Sequence, residues 1–247
     1  MTDQRQEAFL QRIRQALGSD RLDPANQAQP ESETIASPPP RSDQERDELV
    51  QRLMTAGQAL HMHITLCPDL EAAAADITDL AQAKVQKDKG VVAWDHPLLW
   101  ELNLDKRMSE NGLRFATTGW QGTPASDAER LRQRSAIRRQ MASAFMGITS
   151  ADFCLADTAT LVMKTRPGQA RSASLLPEIH AAVIRKDHII ADLQELYALL
   201  SHDPHQAQEG LTSCLTLISG PSKTADIEMC MVHGVHGPRE LYLFILP

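Results

Sequence analysis

Aromatic residues are scarce in this chain: five Phe, three Trp and two Tyr make up 4% of 247 residues. A core must then be built mainly from Ala, Leu, Ile and Val. Trp94, Trp100 and Trp120 are too dispersed to form a stacking platform for nucleic-acid bases. Positive charge is also in short supply, and a formal net charge of −7 argues against the basic face of a nucleic-acid binder. Cysteine is rare and scattered. Cys67, Cys154, Cys214 and Cys230 form no CxxC or CxxxC group, so no iron–sulfur or structural zinc site can be read from them. Reduced, mostly buried thiols are expected instead. No apolar run approaches the roughly 20 residues of a membrane-spanning helix. The leading MTDQRQEAFLQRIRQ is polar and amphipathic, without the apolar stretch of a secretory signal; the expected location is the cytoplasm. The phosphate-loop pattern GxxxxGK(S/T) is missing as well.

What is present is ordinary for a globular protein, with 42% apolar and 23% charged residues. The length suits one large α/β domain or two small ones. Within residues 1–18, Phe9, Leu10, Ile13 and Leu17 fall on one helical face and Gly18 stops the helix. Residues 19–41 set Pro24, Pro30 and Pro38-Pro39-Pro40 among Gln, Ser, Glu and Asp, the composition of a flexible or extended linker. The leading helix is thus expected to be a tethered appendage that docks either on a partner subunit or on its own domain.

The α/β domain is expected over residues 42–247. Ser42-Asp43-Gln44-Glu45 is a capping box for a first helix. Strands are expected at 61–67, 90–94, 113–117, 153–155, 160–164 and 179–184. Helices are expected at 68–85, 97–108, 123–145 and from Asp187 to Leu200. Such alternation signals a mostly parallel sheet flanked by helices. The 123–145 helix carries a second capping box, Ser126-x-x-Glu129, and a buried stripe of Leu131, Ile137, Met141 and Phe145. Its basic run from Arg130 to Arg139 is either a solvated face or a docking surface for an acidic partner or an anionic ligand. Arg166-Pro167-Gly168 reads as a turn.

Residues 215–246 read as a buried strand, a tight Gly-Pro turn into a helix start, a second glycine-rich turn and a last buried strand. The turns gather Gly, Ser, Thr, Lys, His and Arg at strand ends. Backbone amides and a helix dipole around Gly220, Ser222, Lys223 and Thr224 would attract an anion, with the lysine adding a full charge. The same residues could equally be a capped helix start, with Asp226 and Glu228 suited to its dipole. Asp226, His236 and Gly237 are counted as ligand contacts, and Arg239 either clamps a carboxylate or is solvated at the rim. His233-x-x-His236 suggests a metal pair, but Gly234 and Gly237-Pro238 break any regular helix there and no third ligand is apparent, so no metal is expected. Asp157, Thr158 and Thr160 fall at a strand-to-strand junction, and the two threonines are counted as ligand contacts. There Asp157 could be a general base or nucleophile, or cap its own turn. His180, at the start of a strand, could orient a ligand or Asp157, or sit satisfied in the core.

Several of these segments together resemble one family. Gly147-Ile148-Thr149, Ala151-Asp152-Phe153, Ala156-Asp157-Thr158-Ala159-Thr160, Leu175-Leu176-Pro177 with His180, and GPSKTADIE from Gly220 followed by GVHGP from Gly234 are similar to the LUD domain. The similarity covers about residues 42–247 and is dense from 147 on; the last motif is long and specific. It implies a fold like that of the sugar-phosphate isomerases and CoA transferases (NagB/RpiA/CoA-transferase-like). It also implies membership of an operon-encoded, three-protein system oxidising L-lactate to pyruvate, with iron–sulfur clusters in partner subunits. On that footing the chain is expected to be an accessory subunit with no cofactor of its own, binding a small anion or carboxylate. The alternatives are a free-standing enzyme on a phosphorylated or activated carboxylate substrate, and a ligand-sensing regulator. One position departs from the family pattern: most relatives carry a TGT triplet where this chain has Thr158-Ala159-Thr160 after Asp157. A backbone that needs glycine would be strained by Ala159.

Overall fold

In this computed structural model the described residues are 9, 11, 12, 15, 16, 40–120, 122, 126–202, 212, 214–225 and 231–247. The chain divides into two compact units, Met1–Ser37 and Pro38–Pro247. In the first, Phe9, Gln11, Arg12, Gln15 and Ala16 are helical and exposed. Leu10, Ile13 and Leu17 of the expected apolar stripe lie outside the described residues, as does the linker up to residue 39.

The second unit starts where its capping chemistry places it. The Ser42 side chain accepts from the Glu45 backbone while Glu45 returns to the Ser42 amide, opening α1 (Asp43–Leu60). Just before it, Arg41 forks onto Glu195 at 2.6 and 2.5 Å, so ordered packing begins at the last residue assigned to the linker. Then follow β1 (His63–Leu66), α2 (Leu70–Lys84), β2 (Gly90–Ala93), α3 (Pro97–Glu101), α4 (Leu104–Glu110), β3 (Phe115–Thr117), α5 (Asp127–Ala142) and β4 (Ala144–Ser150). The chain continues through β5 (Phe153–Leu155), β6 (Thr160–Lys164), β7 (Ile179–Arg185), β8 (Ile189–Ile190) and α6 (Leu193–His202). It ends with β9 (Leu215–Ser219), β10 (Lys223–Ala225), β11 (Met231–His233) and β12 (Glu240–Leu246).

Six strands form one sheet in the order β1-β12-β7-β4-β2-β3, every neighbouring pair parallel. Strand β2 is followed by β3 on one side and β4 on the other, which makes the β2–β4 boundary the switch point of the sheet. Alternation along the central strands divides the core. Ala181 and Val183 of β7 with Phe244 and Leu246 of β12 pack under α2 to α5. On the other face, Ala182, Ile184, Leu241, Leu243 and Ile245 meet α1 and a smaller sheet ordered β8-β5-β6-β9. An α/β architecture with a parallel sheet flanked by helices is therefore the fold. Among the described residues, no helix is long and apolar enough to cross a membrane.

Four local expectations change. The helix expected at 97–108 is two short ones, because Asn103 turns left-handed at φ 48° between them. The helix expected to reach Phe145 stops at Ala142; Phe145 is fully buried in β4, and Leu131 of the expected stripe is exposed. Asp187 sits in a 3-10 turn, and Asp192 caps α6 by accepting from the Glu195 amide at 2.9 Å. After the Gly-Pro turn there is no helix start. Residues Lys223–Ala225 form β10, paired antiparallel with β11.

One contact decides how the segment after β6 lies. A Cβ built on Gly147, in the middle of β4, would overlap the carbonyl oxygen of Ala173. Only the bare backbone of glycine lets the 3-10 turn Arg171–Ser174 cross the sheet this closely. Gly147→Ala is expected to cost about 1–3 kcal/mol or more, as overpacked core positions do. Urea unfolding of the variant measures it; a midpoint equal to that of the parent would show that the contact is not what holds the turn.

Candidate functional site

The residues expected at the two turns and at the β5–β6 junction are brought together by strand pairing. Strands β6 and β9 align Thr160 with Ser219. A hydroxyl chain results: Thr158 Oγ1 and Thr160 Oγ1 are 2.7 Å apart, and Thr160 Oγ1 and Ser219 Oγ are 2.7 Å apart. Asp157 pairs with Arg52 of α1, and its amide donates to the Ala191 carbonyl at 3.1 Å. Gly220, at φ 86°, turns the chain against Leu60. The second turn is tied to the first through Ser222, whose amide donates to the Pro238 carbonyl at 2.8 Å and whose carbonyl accepts from Gly234 at 3.0 Å. Gly237 lies against the Ser222 side chain, His236 is exposed, and the Arg239 side chain packs over Gly234. The Arg239 amide donates to the Glu178 carbonyl at 2.7 Å. Asp226 lies outside the described residues.

This cluster differs from the anion loop expected of it. A strand follows directly, so no helix dipole starts at Gly220, and Thr224 stands in β10 rather than at a helix cap. The Ser222 amide is committed to Pro238. Lys223 Nζ donates to the Leu60 carbonyl at 3.2 Å, which places its charge on the negative end of α1. The second turn leads into the first residue of β12, and Leu60 precedes β1, so the cluster sits at the amino end of the parallel sheet. Ligands of open α/β sheets gather at the other end.

His180 is apart from this group. It is 1% exposed in β7, with Nε2 and Thr149 Oγ1 2.8 Å apart, and among the described residues it makes no hydrogen bond to the Asp157 turn. Burial pushes its imidazole down to about 3, so it is a neutral core residue.

At the carboxyl end of the sheet the segment after β6 folds over the ends of β2 and β3. Trp94 Nε1 donates to the Ala170 carbonyl at 2.9 Å, and the Asp95 amide donates to the Gly168 carbonyl at 3.1 Å. The Thr118 hydroxyl donates to the same Gly168 carbonyl. Between this segment and α5 lies a cavity of about 440 Å³. Arg134 and Arg138 line it from α5, Arg166 and Arg171 from the segment, and Trp120 stands at its wall. The spacing explains the helix contribution: 134, 137, 138 and 141 share one face, so Ile137 and Met141 anchor the core while the two guanidiniums reach over it. Arg166 pairs with Asp152 at 2.6 Å and Arg171 donates to Cys214 Sγ at 3.2 Å. Among the described residues neither Arg134 nor Arg138 pairs with a carboxylate. Gln169 and Thr165 also line the cavity, and each carries a buried oxygen without a hydrogen-bond partner among the described residues. Nearby, His96 caps α3 by accepting from the Leu98 amide at 3.2 Å, and burial holds its imidazole below the ordinary value.

The LUD domain model matches residues 50–246. The chain belongs to the LUD domain family. Among curated relatives, the Lactate utilization protein C of Shouchella clausii is 32% identical over 240 residues, covering 94% of this chain and 93% of that one. The protein of the same name from Bacillus subtilis is 29% identical, covering 96% and 94%. The Uncharacterized protein YkgG of Escherichia coli is 31% identical, covering 96% of both. A crystal structure of a DUF162 family protein from Deinococcus radiodurans superposes with a TM-score of 0.53 at 22% identity, covering 84% of this chain and all of that one. At that identity it speaks for the fold alone.

Within this LUD domain, Ala159 occupies a backbone conformation that suits glycine. It is fully buried at φ 46°, a left-handed conformation that costs an L-residue about 1–2 kcal/mol. Sequence reasoning reached Arg134 and Arg138 through the basic run but read Arg166 to Gly168 as a turn only. It passed over Gln169, Arg171 and His96. The RPGQAR string, two arginines bracketing a Pro-Gly turn in a segment with little apolar content, was the available signal.

The buried His180 has a measurable consequence. Its unfolded imidazole titrates near 6.5 and its folded one near 3, so below about pH 6.5 only the unfolded chain gains the proton. Stability should fall as pH drops through that window, by up to about 1.4 kcal/mol per pH unit from this residue. His180→Gln, compared by urea unfolding at about pH 7.5 and about pH 5, should lose less stability between the two than the parent. An equal loss would show that His180 does not titrate on unfolding.

Proposed function

We propose that this chain is an accessory subunit of an L-lactate-oxidising system and holds a small anion or carboxylate in the arginine-lined cavity. The lactate assignment draws on relatives that match it end to end under the name Lactate utilization protein C. The binding role rests on one observation. Four guanidiniums line a cavity at the carboxyl end of a parallel sheet, and two of them have no carboxylate partner among the described residues. A guanidinium fork matches a carboxylate in two parallel hydrogen bonds. The turn cluster around Gly220 and Lys223 is architecture in this reading, a clamp between α1, β9 and the start of β12.

Oxidising a 2-hydroxy acid to a 2-oxo acid releases two electrons, which need a carrier. Two of the four thiols, Cys67 and Cys154, are buried and poorly placed for cluster ligation. Burial pushes Cys154 up to about 12 and Cys67 up to about 11, so both stay protonated at neutral pH. In this proposal the iron–sulfur clusters belong to partner subunits, as the family resemblance implies, and the present chain carries none.

Two measurements test it. In calorimetry, L-lactate or pyruvate should bind the intact chain, and the double variant Arg134→Gln/Arg138→Gln should lose about tenfold or more of that affinity. Lys223→Ala should keep it. An affinity unmoved by the arginine pair, or lost with Lys223, would return the site to the amino end of the sheet. For the assembly, the chain co-expressed with its two cluster-bearing partners should retain them through affinity purification; its recovery alone would refute the subunit role.

A further inference from the structure

We infer that two copies of this chain join edge to edge through β1, in a two-fold dimer whose parallel sheets run on as one. Among the described residues nothing pairs with the outer side of β1, whose one neighbour in the sheet is β12. The Cys67 amide donates to the Ile245 carbonyl at 2.9 Å. Alternation along the strand then turns the backbone of Thr65 and Cys67 toward β12 and that of Ile64 and Leu66 outward. Exposed edges are ordinarily blunted by Lys, by Pro or by a bulge. The strand His63–Leu66 contains neither residue, and its register against β12 runs without a shift. The opposite edge, β3, is only three residues long, with the exposed Arg114 just before it.

What fits such an edge is another strand, and the side chains say which. Ile64 points to α1, since a Cβ built on Gly57 would overlap its Cδ1. Leu66, two residues on, faces the same side and is 49% exposed. Beside Ile64 a groove of about 560 Å³ runs between α1 and β1, its walls including Gln51, Met54, Thr55, Gln58 and Met62. One short strand therefore carries an exposed apolar knob and, two residues before it, a hollow. A two-fold axis at Thr65 pairs Ile64 of each copy with Leu66 of the other. Each such pair exchanges both of its outward N–H···O bonds, and each Leu66 enters the facing groove.

Charge favours a second copy as the occupant. The chain carries −7, so two copies repel wherever their acids face each other. The groove beside β1 has no Asp, Glu, Lys or Arg in its lining, and the cores of protein interfaces are depleted of charge in the same way. An isologous contact needs this neutrality, because across a two-fold axis a charge meets its own like. The dimer also leaves the arginine-lined cavity open. That cavity lies on the β2–β3 side of the sheet, and β1 is the far edge.

Sedimentation equilibrium of the full chain at micromolar concentration should give twice its mass of 27.3 kDa. Leu66→Lys places a cation in each groove and should weaken the dimer about a hundredfold or more. Leu131→Lys, at a leucine on α5 that is 62% exposed, should leave the dimer intact. Register is read by Thr65→Cys. Residues facing each other on the axis form a non-hydrogen-bonded pair with Cα atoms about 4.5 Å apart, within reach of a disulfide. Mild oxidation should therefore link Thr65→Cys into a covalent dimer on a non-reducing gel, while the parent and Ser135→Cys, exposed on α5, stay unlinked. A monomeric parent would overturn the inference and leave the edge to a different protein. A dimer that tolerates Leu66→Lys, or that gives no link through Thr65→Cys, would show that another face joins the copies. Circular dichroism and urea midpoints establish that each variant is folded; should Leu66→Lys not be, the Thr65→Cys link decides alone.

Discussion

The approach of the Ala173 carbonyl to the bare backbone of Gly147 is the constraint from which the carboxyl end of this domain is built. With the segment after β6 held against β4 there, the residues ahead of it have little choice of path. The Gly168 carbonyl accepts from both the Asp95 amide and the Thr118 hydroxyl, and the Ala170 carbonyl accepts from the Trp94 indole. Three donors from the ends of two parallel strands thus fix the backbone that carries Arg166, Gln169 and Arg171. An irregular segment tied down in this way can carry charged side chains at defined positions, which a free loop cannot do.

The two ends of the sheet divide the labour. At the amino end, hydroxyls bond to hydroxyls, Asp157 meets Arg52, and Lys223 caps α1. Most polar groups described there already have a partner within the protein. At the carboxyl end two exposed guanidiniums have no carboxylate partner among the described residues. Satisfied polar groups hold a fold together, whereas unsatisfied ones in a cavity call for something from outside. That contrast, more than the richness of either cluster in Gly, Thr or Lys, separates architecture from binding.

How much of this was legible in the sequence follows from how local each signal is. The Ser42–Glu45 capping box, the buried β12 and the alternation of strands with helices depend on neighbours a few residues away, and they appear where expected. The special backbone at Ala159 was legible too, since a side chain standing where glycine is usual flags a left-handed turn. The segment from Ser222 failed because a Ser/Thr-rich start followed by acids looks the same before a helix as before a hairpin strand; only pairing with residues 231–233 decides it. The cavity was half visible. A basic run announces a charged helix face, but nothing in it says that residues about thirty positions later in the chain will fold across and close that face into a pocket.

A net charge of −7 disfavours a broad anion-binding face, yet for a single site net charge is the wrong measure. At physiological ionic strength charges are screened over about 8 Å, so acids on distant helices contribute little to the field in the cavity. What counts is the group of charges within one screening length, and there, among the described residues, the four guanidiniums outnumber Asp152, which pairs with Arg166, and Asp95, which lies beside Gly168. Low-dielectric walls of Ile137 and Met141 strengthen that local field further. The net negative charge keeps the chain from gathering anions indiscriminately, and a concave place where arginines converge is then selective by position. An exterior of the opposite sign would have made the same pocket one weak site among many.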